Sequence, residues 1–224
     1  MKLLAISLVL CLAGTAEAQQ TIFALPDAQV FPGTDGAQPK SLDTPLTDAI
    51  AAFEMKTGKK KWKKRIAVFK ARRRMDVYAD DVLLKSYVVN LGPDTSGTKS
   101  REGDGKTPEG DYFVCSVNKV SQFTRFLALA YPTPADADRG LAAKRLYQAD
   151  ADAIRSAWKT KTHCPPQQTK LGGMVGIHGK GGWQHEGGKY EVVDWTLGCV
   201  GLRDADILEL FEHYAEVGIP VHIE

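Results

Sequence analysis

The sequence predicts an α+β fold in which β-structure predominates: a sandwich or barrel-like sheet with helices packed against it. Short runs rich in β-branched and aromatic residues recur from about residue 65 to the end of the chain, which is typical of strands. Helical periodicity is confined to a few segments, most of them late, and strands and helices do not alternate as in βαβ units. The 224 residues are enough for one domain with an extension.

Each element has its own support in the sequence. Strands are predicted at residues 66–69, 75–78, 83–91, 109–117, 125–131, 174–177, 199–202 and 220–223. Helices are predicted at residues 44–58, 135–160 and 204–217, where apolar residues recur on one face. Residues 92–110 are rich in Gly, Ser, Thr, Asp and Pro, so we expect a long surface loop there, and loops of this length often carry function.

The first residues have the pattern of a secretory signal. Lys2 precedes an apolar stretch too short to span a bilayer, and Ala16-Glu17-Ala18 forms a small-x-small cleavage site. The predicted organisation is a signal peptide at residues 1–18, an N-terminal tether with a short docking helix at residues 19–60, and a folded domain at residues 61–224. No later segment is predicted to span a membrane, so we expect a protein of the periplasm or cell envelope.

The charge of the chain is concentrated in one segment. Formal net charge is only +2, but eleven Lys and Arg residues crowd the stretch from Lys56 to Arg74. We interpret this run as a solvated face, with attraction to an anionic cell envelope as the functional alternative. No nucleic-acid partner is expected, because the run has no recognition fold around it.

Cysteine usage agrees with an oxidising compartment. Three cysteines remain after the predicted cleavage, and an odd count favours one disulfide and one free thiol. We predict the disulfide between Cys115 and Cys164, which leaves Cys199 free.

The free thiol and a histidine lie in suggestive surroundings. Ile177-His178-Gly179 is followed by a glycine-rich run, and Asp194-Trp195-Thr196-Leu197-Gly198-Cys199 comes next. Imidazole is the usual base that activates a cysteine nucleophile. A zinc site built from histidines and cysteines is the chemical rival, but neither a His-Glu-x-x-His nor a paired Cys-x-x-Cys is present, so no metal or cofactor is expected.

These segments together resemble the L,D-transpeptidase catalytic domain family, the cysteine enzymes of bacterial peptidoglycan. The resemblance rests on residues 103–112 (GDGKTPEGDY), on Leu171-Gly172-Gly173 and on the histidine and cysteine segments, which occur in the family's order. It covers about residues 65–224, so the predicted folded domain becomes a predicted catalytic domain. It implies a mostly β domain with the site in a groove.

The resemblance also implies roles for individual residues. Cys199 would be the nucleophile, His178 its base, and the Gly179 carbonyl would orient the imidazole. Thr196 would support the site, and the Gly198 and Cys199 amides are candidate oxyanion donors.

Substrate contacts are also predicted around the site. Residues 179–188 are predicted to form a flap, in which Trp183 could cover the substrate, while Lys180 and Arg203 could bind stem carboxylates. Two positions depart from the commonest form of the family: Leu197 stands where many members have histidine, and Gly201 where many have arginine or asparagine.

The function implied is acyl transfer on peptidoglycan stem peptides through a thioacyl enzyme, with an amine as acceptor and a wall-attached protein as a further possible partner. The two departures leave open a hydrolase that uses the same pair, either an L,D-carboxypeptidase or an enzyme that cuts wall–protein links. A non-catalytic wall-binding module is the alternative from another class.

Overall fold

The computed structural model describes residues 23–24, 44–180, 183–186 and 189–224, with the backbone alone at residues 23–24, 183–186 and 189–192. The helices are α1 (Leu46–Thr57), α2 (Pro134–Ala142), α3 (Gln148–Thr160) and α4 (Asp204–His213). The strands are β1 (Phe23–Ala24), β2 (Lys64–Phe69), β3 (Arg74–Ala79), β4 (Val82–Val88), β5 (Gly110–Ser121), β6 (Thr124–Leu129), β7 (Gly176–His178), β8 (Trp183–Glu186), β9 (Lys189–Val192), β10 (Val200–Gly201) and β11 (Pro220–Ile223). The predicted signal peptide lies outside the described residues.

Eight of these strands form one mixed sheet that is curled into a half-barrel. Their order across the sheet is β10-β7-β6-β5-β11-β2-β3-β4. The pairs β10–β7 and β11–β2 are parallel, and the other neighbours are antiparallel. β8 and β9 form a hairpin that β1 extends to three strands. The predicted class, a mostly β α+β fold with helices packed on the sheet, is confirmed.

The main core lies between the sheet and the helices α1 and α4. α1 buries Leu46, Ala49 and Phe53, which are spaced by three and four residues, and α4 buries Ile207 and Leu210 in the same way. A fully buried Leu or Ile side chain contributes about 1.5–3 kcal/mol through removal of its apolar surface from water. This packing fixes α4, whose first residues lie directly after β10.

The helical region predicted at residues 135–160 proves to be two helices. Lys144 adopts a left-handed backbone conformation (φ 55°), and the amides of Arg145 and Leu146 both donate to the Gly140 carbonyl, which closes the end of α2. The turn reverses the chain, so α3 packs beside α2 around Leu146, Ile154 and other apolar residues. The periodicity continues across the break because both helices bury one face in the same small core.

A disulfide attaches the segment after α3 to the sheet. Cys115 on β5 bonds to Cys164, with the two Cα atoms 5.1 Å apart, and Cys199 is a free thiol. Trp158 of α3 packs edge-on against Phe113 beside this disulfide. The disulfide therefore anchors the chain that leads from α3 toward β7.

The helix α4 begins where the predicted helix at residues 204–217 begins, with Arg203 at the N-cap position, but it ends earlier, at His213. β7 and β10 are also shorter than predicted, because the chain that precedes each strand forms a loop that lines a groove. Among the described residues, no helix has the length and apolar character needed to cross a bilayer.

Candidate active site

A groove of about 1250 Å³ lies at the end of the sheet where β7 and β10 meet. His178 and Cys199 both line it, as do residues of the loop before β7 and of the 195–199 loop. The groove is large enough for several residues of an extended peptide. The two side chains predicted to react thus share one open site, although 20 residues separate them in sequence.

The register of β7 and β10 explains why the two side chains face the same way. Gly201 lies opposite His178, and Val200 lies opposite Ile177, with Val200 and Ile177 both fully buried in the core. Successive residues of a strand point to opposite faces of a sheet. Cys199 and His178 are the neighbours in sequence of Val200 and Ile177, so both point away from the core.

The His178 imidazole is held by one hydrogen bond and three aromatic rings. Its Nδ1 lies 2.7 Å from the Gly179 carbonyl oxygen. A carbonyl only accepts, so Nδ1 carries the proton and Nε2 is the nitrogen with a free lone pair. The ring centroids of Phe123, Phe126 and Trp195 lie 4.5, 5.9 and 5.7 Å from the imidazole centroid.

This environment favours a neutral imidazole at rest. Burial among the rings lowers the pKa of His178, and the bond to the Gly179 carbonyl raises it by a smaller amount. The predicted orienting role of Gly179 agrees with this geometry. Gly179 also has no space for a side chain, because an added Cβ would lie 2.9 Å from the Phe123 carbonyl oxygen and from Ile207 Cγ2.

The Cys199 thiol is half-buried and also lines the groove. Sγ donates to the Met174 carbonyl oxygen at 3.3 Å. Burial raises the pKa of the thiol to about 11, while the Gly176 amide and the Lys99 ammonium act in the opposite direction. In the unliganded protein the sulfur is therefore protonated at neutral pH.

Thr196 holds the loop that presents the cysteine. Its buried hydroxyl donates to the Cys199 carbonyl at 2.8 Å and accepts from the Gly198 amide at 3.2 Å. These two bonds agree with the predicted supporting role of Thr196. They also engage the Gly198 amide within the loop, so its oxyanion role stays a prediction that requires this amide to exchange partners when substrate binds.

A buried lysine beside this loop is a site residue that sequence reasoning missed. Lys99 is 3% exposed and lines the groove. Its ammonium donates to Asp104 at 2.8 Å and to the Leu197 carbonyl at 3.4 Å. The sequence predicts a loop at residues 92–110, but nothing in that pattern distinguishes Lys99 from its neighbours. The residue contacts a loop 98 residues away.

Asp104 is the acceptor around which this loop is built. One carboxylate oxygen accepts the amides of Ser100 and Arg101 at 2.7 and 3.0 Å, and the other accepts Lys99. Burial acts to raise the pKa of Asp104, but Lys99 and the amides outweigh it and hold the pKa at about 2. The carboxylate is therefore ionised at neutral pH and fixes Lys99 in place.

The three residues predicted to contact substrate are not among the described side chains that line the groove. Arg203 forms a paired bond with Asp206 at 2.6 and 2.8 Å, the Lys180 side chain is exposed, and neither residue is among those that line the groove. The Trp183 side chain lies outside the described residues. All three substrate roles stay predictions. Leu197, one of the two departures from the family pattern, lines the groove and is 80% exposed.

In the described part of the chain, no group of three or more His, Cys, Asp or Glu side chains is arranged to hold a metal ion.

The half-barrel sheet with a cysteine and a histidine facing one groove is the architecture of an L,D-transpeptidase-type enzyme. Residues 63–223 match the family model of the L,D-transpeptidase catalytic domain (YkuD), and the chain belongs to this family. The resemblance read from the sequence segments is thereby confirmed. Membership of this family supports a peptidoglycan-related function of the L,D-transpeptidase type. No curated protein matches the chain at a significant level.

Solved structures similar to this chain include several L,D-transpeptidases. An L,D-transpeptidase from Xylanimonas cellulosilytica is 12% identical, with 78% of this chain and 69% of that chain covered and a TM-score of 0.42. The helical cell shape determining protein Pgp2 from Campylobacter jejuni is 19% identical, with 74% and 48% covered and a TM-score of 0.46. A mutant L,D-transpeptidase from Enterococcus faecium is 16% identical, with 72% and 50% covered and a TM-score of 0.41. The chain spans about half the length of the last two.

Proposed function

We propose that this protein is a peptidoglycan L,D-transpeptidase that transfers an acyl group from a stem tetrapeptide through a Cys199 thioacyl enzyme. One observation carries the proposal: the Gly179 carbonyl fixes the proton on Nδ1 of His178, which leaves Nε2 as a base in the groove that Cys199 also lines. Family membership supports the same reaction class.

The proposed reaction begins from a neutral pair. The pKa of the thiol is raised and that of the imidazole is lowered, so an ion pair is disfavoured before substrate binds. Sγ then attacks the carbonyl of the bond between the L-centred third residue and the terminal D-alanine, and Nε2 of His178 takes the thiol proton as the S–C bond forms.

The tetrahedral intermediate next collapses. The C–N bond to D-alanine breaks, and the protonated His178 gives its proton to the leaving amine, which departs as free D-alanine. The backbone amides of Gly198 and Cys199 are the proposed oxyanion donors, and one such donor lowers the barrier by about 3 kcal/mol in other acyl-transfer enzymes.

The thioacyl enzyme is finally consumed by an amine. His178 is neutral again and removes a proton from the attacking amine, so that a new amide forms and the thiol is restored. A second stem peptide or a wall-attached protein would supply the amine. Water at the same step would give a tripeptide, which is the hydrolase alternative. The place of action proposed from the N-terminal sequence is the periplasm or cell envelope.

The test is incubation of the purified protein with stem tetrapeptides, followed by mass spectrometry of the products. We expect cross-linked dimers or exchanged terminal residues. Tripeptide as the sole product would replace transfer by hydrolysis. Cys199→Ala and His178→Ala should each abolish product formation while leaving the thermal melt unchanged.

A matched control separates loss of the base from loss of any histidine. His213 is exposed at the end of α4 and does not line the groove, so His213→Ala should retain full activity. Unchanged product formation by Cys199→Ala would refute the mechanism. If the wild-type protein shows no turnover, and binding to peptidoglycan survives Cys199→Ala, the protein is instead a non-catalytic wall-binding module.

A further inference from the structure

The peptide group between Gly179 and Lys180 is hydrogen-bonded at both ends. Its carbonyl oxygen lies 2.7 Å from Nδ1 of His178, and its N–H donates to Oδ1 of Asp204 at 2.8 Å. A carboxylate, an amide and an imidazole therefore form one continuous chain of hydrogen bonds. Residues 179 and 180 are adjacent, whereas Asp204 comes from α4, 24 residues further along.

Asp204 is itself held in place from a third element. The Thr124 hydroxyl at the start of β6 donates to the same carboxylate oxygen at 2.6 Å. Asp204 also packs closely against Gly179, because a Cβ added to Gly179 would lie 2.4 Å from that oxygen. Lys180 adopts a left-handed backbone conformation (φ 58°), which aims its N–H at the carboxylate. The position of the Asp204 carboxylate is therefore fixed by several contacts and not by a single hydrogen bond.

A carboxylate at one end of an amide affects the acceptor at the other end. Hydrogen bonding to an anion polarises the peptide group, so its carbonyl oxygen carries more negative charge and binds the Nδ1 proton more strongly. The carboxylate in a Ser-His-Asp triad orients the imidazole and stabilises the imidazolium without accepting the proton. Here a peptide group stands between the two side chains and can transmit the same effect.

We propose that Asp204 is a positioning residue for the base: through the Gly179–Lys180 peptide it fixes the tautomer of His178 and stabilises the imidazolium formed during acyl transfer. Asp204 stays ionised throughout, and no proton passes to it. The inference rests on the proposed function for its kinetic part. Its electrostatic part concerns His178 alone and is measurable without substrate.

Other charged groups near the imidazole must be separated from Asp204 in the test. The titratable side chains on the elements around His178 include Cys199 before β10, Arg203 at the N-cap of α4, Asp204 and Asp206 in its first turn, Glu209, Glu212 and His213 further along α4, Arg125 on β6, and Lys180 after β7. Lys99 faces the groove from the opposite side, next to Cys199.

Asp204→Asn is the informative variant, because the side chain keeps its size and an oxygen for the Lys180 amide but loses its charge. We expect kcat to fall about tenfold with KM unchanged, in line with loss of a partner that orients a catalytic group. We also expect the pKa of His178, measured by NMR titration, to be lower than in the wild-type protein, because the imidazolium loses its stabilising anion. The five histidines can be distinguished with His178→Ala.

Asp48→Asn is the matched control, since Asp48 is an exposed carboxylate in the first turn of α1. It should leave kcat and the His178 titration unchanged. An Asp204→Asn protein with a wild-type His178 titration overturns the inference, even if kcat falls, because the role would then be structural only. If the wild-type protein shows no turnover but Asp204→Asn still lowers the pKa of His178, the inference about Asp204 is sustained and the proposed function is refuted.

Discussion

The base and the nucleophile of this site are supported in opposite ways. His178 is enclosed by three aromatic rings and held by a single backbone carbonyl, so its surroundings are apolar apart from one hydrogen bond. Cys199 lies on a loop held by polar contacts: Thr196 bridges the loop internally, and the buried ammonium of Lys99 contacts it from outside. The first support fixes an orientation, while the second fixes a backbone shape and a local charge.

The difference shows why both groups are neutral at rest but able to react. Apolar rings penalise the imidazolium, and dense packing around the sulfur penalises the thiolate. Each group also has contacts that favour its charged form: the Gly179 carbonyl for His178, and the Gly176 amide and Lys99 for Cys199. Proton transfer between them therefore creates two charges that are each already partly supported.

The largest expected effect comes from breaking the support of the base. In Gly179→Ala the new Cβ would lie 2.4 Å from Asp204 and 2.9 Å from the Phe123 carbonyl, so the loop must move and take the orienting carbonyl with it. Displacement of a catalytic group by about 1 Å can cost roughly 100-fold, and we expect at least that loss in kcat. Steady-state kinetics with a stem tetrapeptide would measure it.

Gly201→Ala is the control for this variant, because it adds the same methyl group on the neighbouring strand. There the Cβ would meet Asn90 and Thr196 at 3.4 and 3.5 Å, which is ordinary contact. Its effect should stay within about twofold. Equal losses in the two variants would show that the groove tolerates no added methyl group at all, and that the Gly179 carbonyl has no special part.

A smaller effect is expected on the side of the nucleophile. Thr196→Val keeps the shape of the side chain but removes the donor to the Cys199 carbonyl and the acceptor of the Gly198 amide. Loss of buried partners costs about 1–3 kcal/mol, so activity should fall roughly 10- to 100-fold. Thr196→Ser, which keeps the hydroxyl, should restore most of it. Wild-type kcat in the valine variant would rule out the loop-supporting role.

The smallest expected effect concerns the charge beside the thiol. Lys99→Met removes the cation that lowers the pKa of Cys199, so the thiolate fraction should decrease at every pH below about 11. Alkylation of Cys199 by iodoacetamide, followed by mass spectrometry, should slow by roughly three- to tenfold at pH 8. Lys99→Arg, which keeps the charge, should react at a rate near that of the wild type. Faster alkylation in Lys99→Met would give the opposite sign and exclude this electrostatic role.

The two candidate reacting residues could be named from the sequence because their local patterns are distinctive, and the structure places both in one groove. A histidine at the end of an apolar segment and a cysteine between glycine and valine could be paired by the order of the surrounding motifs. The cysteine count predicted one disulfide and one free thiol, and the structure contains the predicted pair, Cys115 with Cys164. The long helical prediction at residues 135–160 was wrong at its middle, because a left-handed Lys144 breaks the helix without a glycine or proline to indicate it.

The residues that tune the site could not be predicted in the same way. Asp204 resembles an ordinary residue in the first turn of a helix, and Lys99 resembles an ordinary loop lysine. Their roles come from contacts across 24 and 98 residues of sequence, with a backbone N–H and a backbone carbonyl that carry no residue identity. The Met174 carbonyl that accepts a hydrogen bond from the thiol is equally invisible to a sequence pattern.

The sequence by itself determined the class of fold, the family and the candidates for nucleophile and base, since these depend on the order of residue types along the chain. Only the tertiary structure decided the protonation of the pair and its supports. A pKa depends on burial and on the few groups within hydrogen-bond distance, and the parallel pairing of β7 with β10 and the packing of α4 set both.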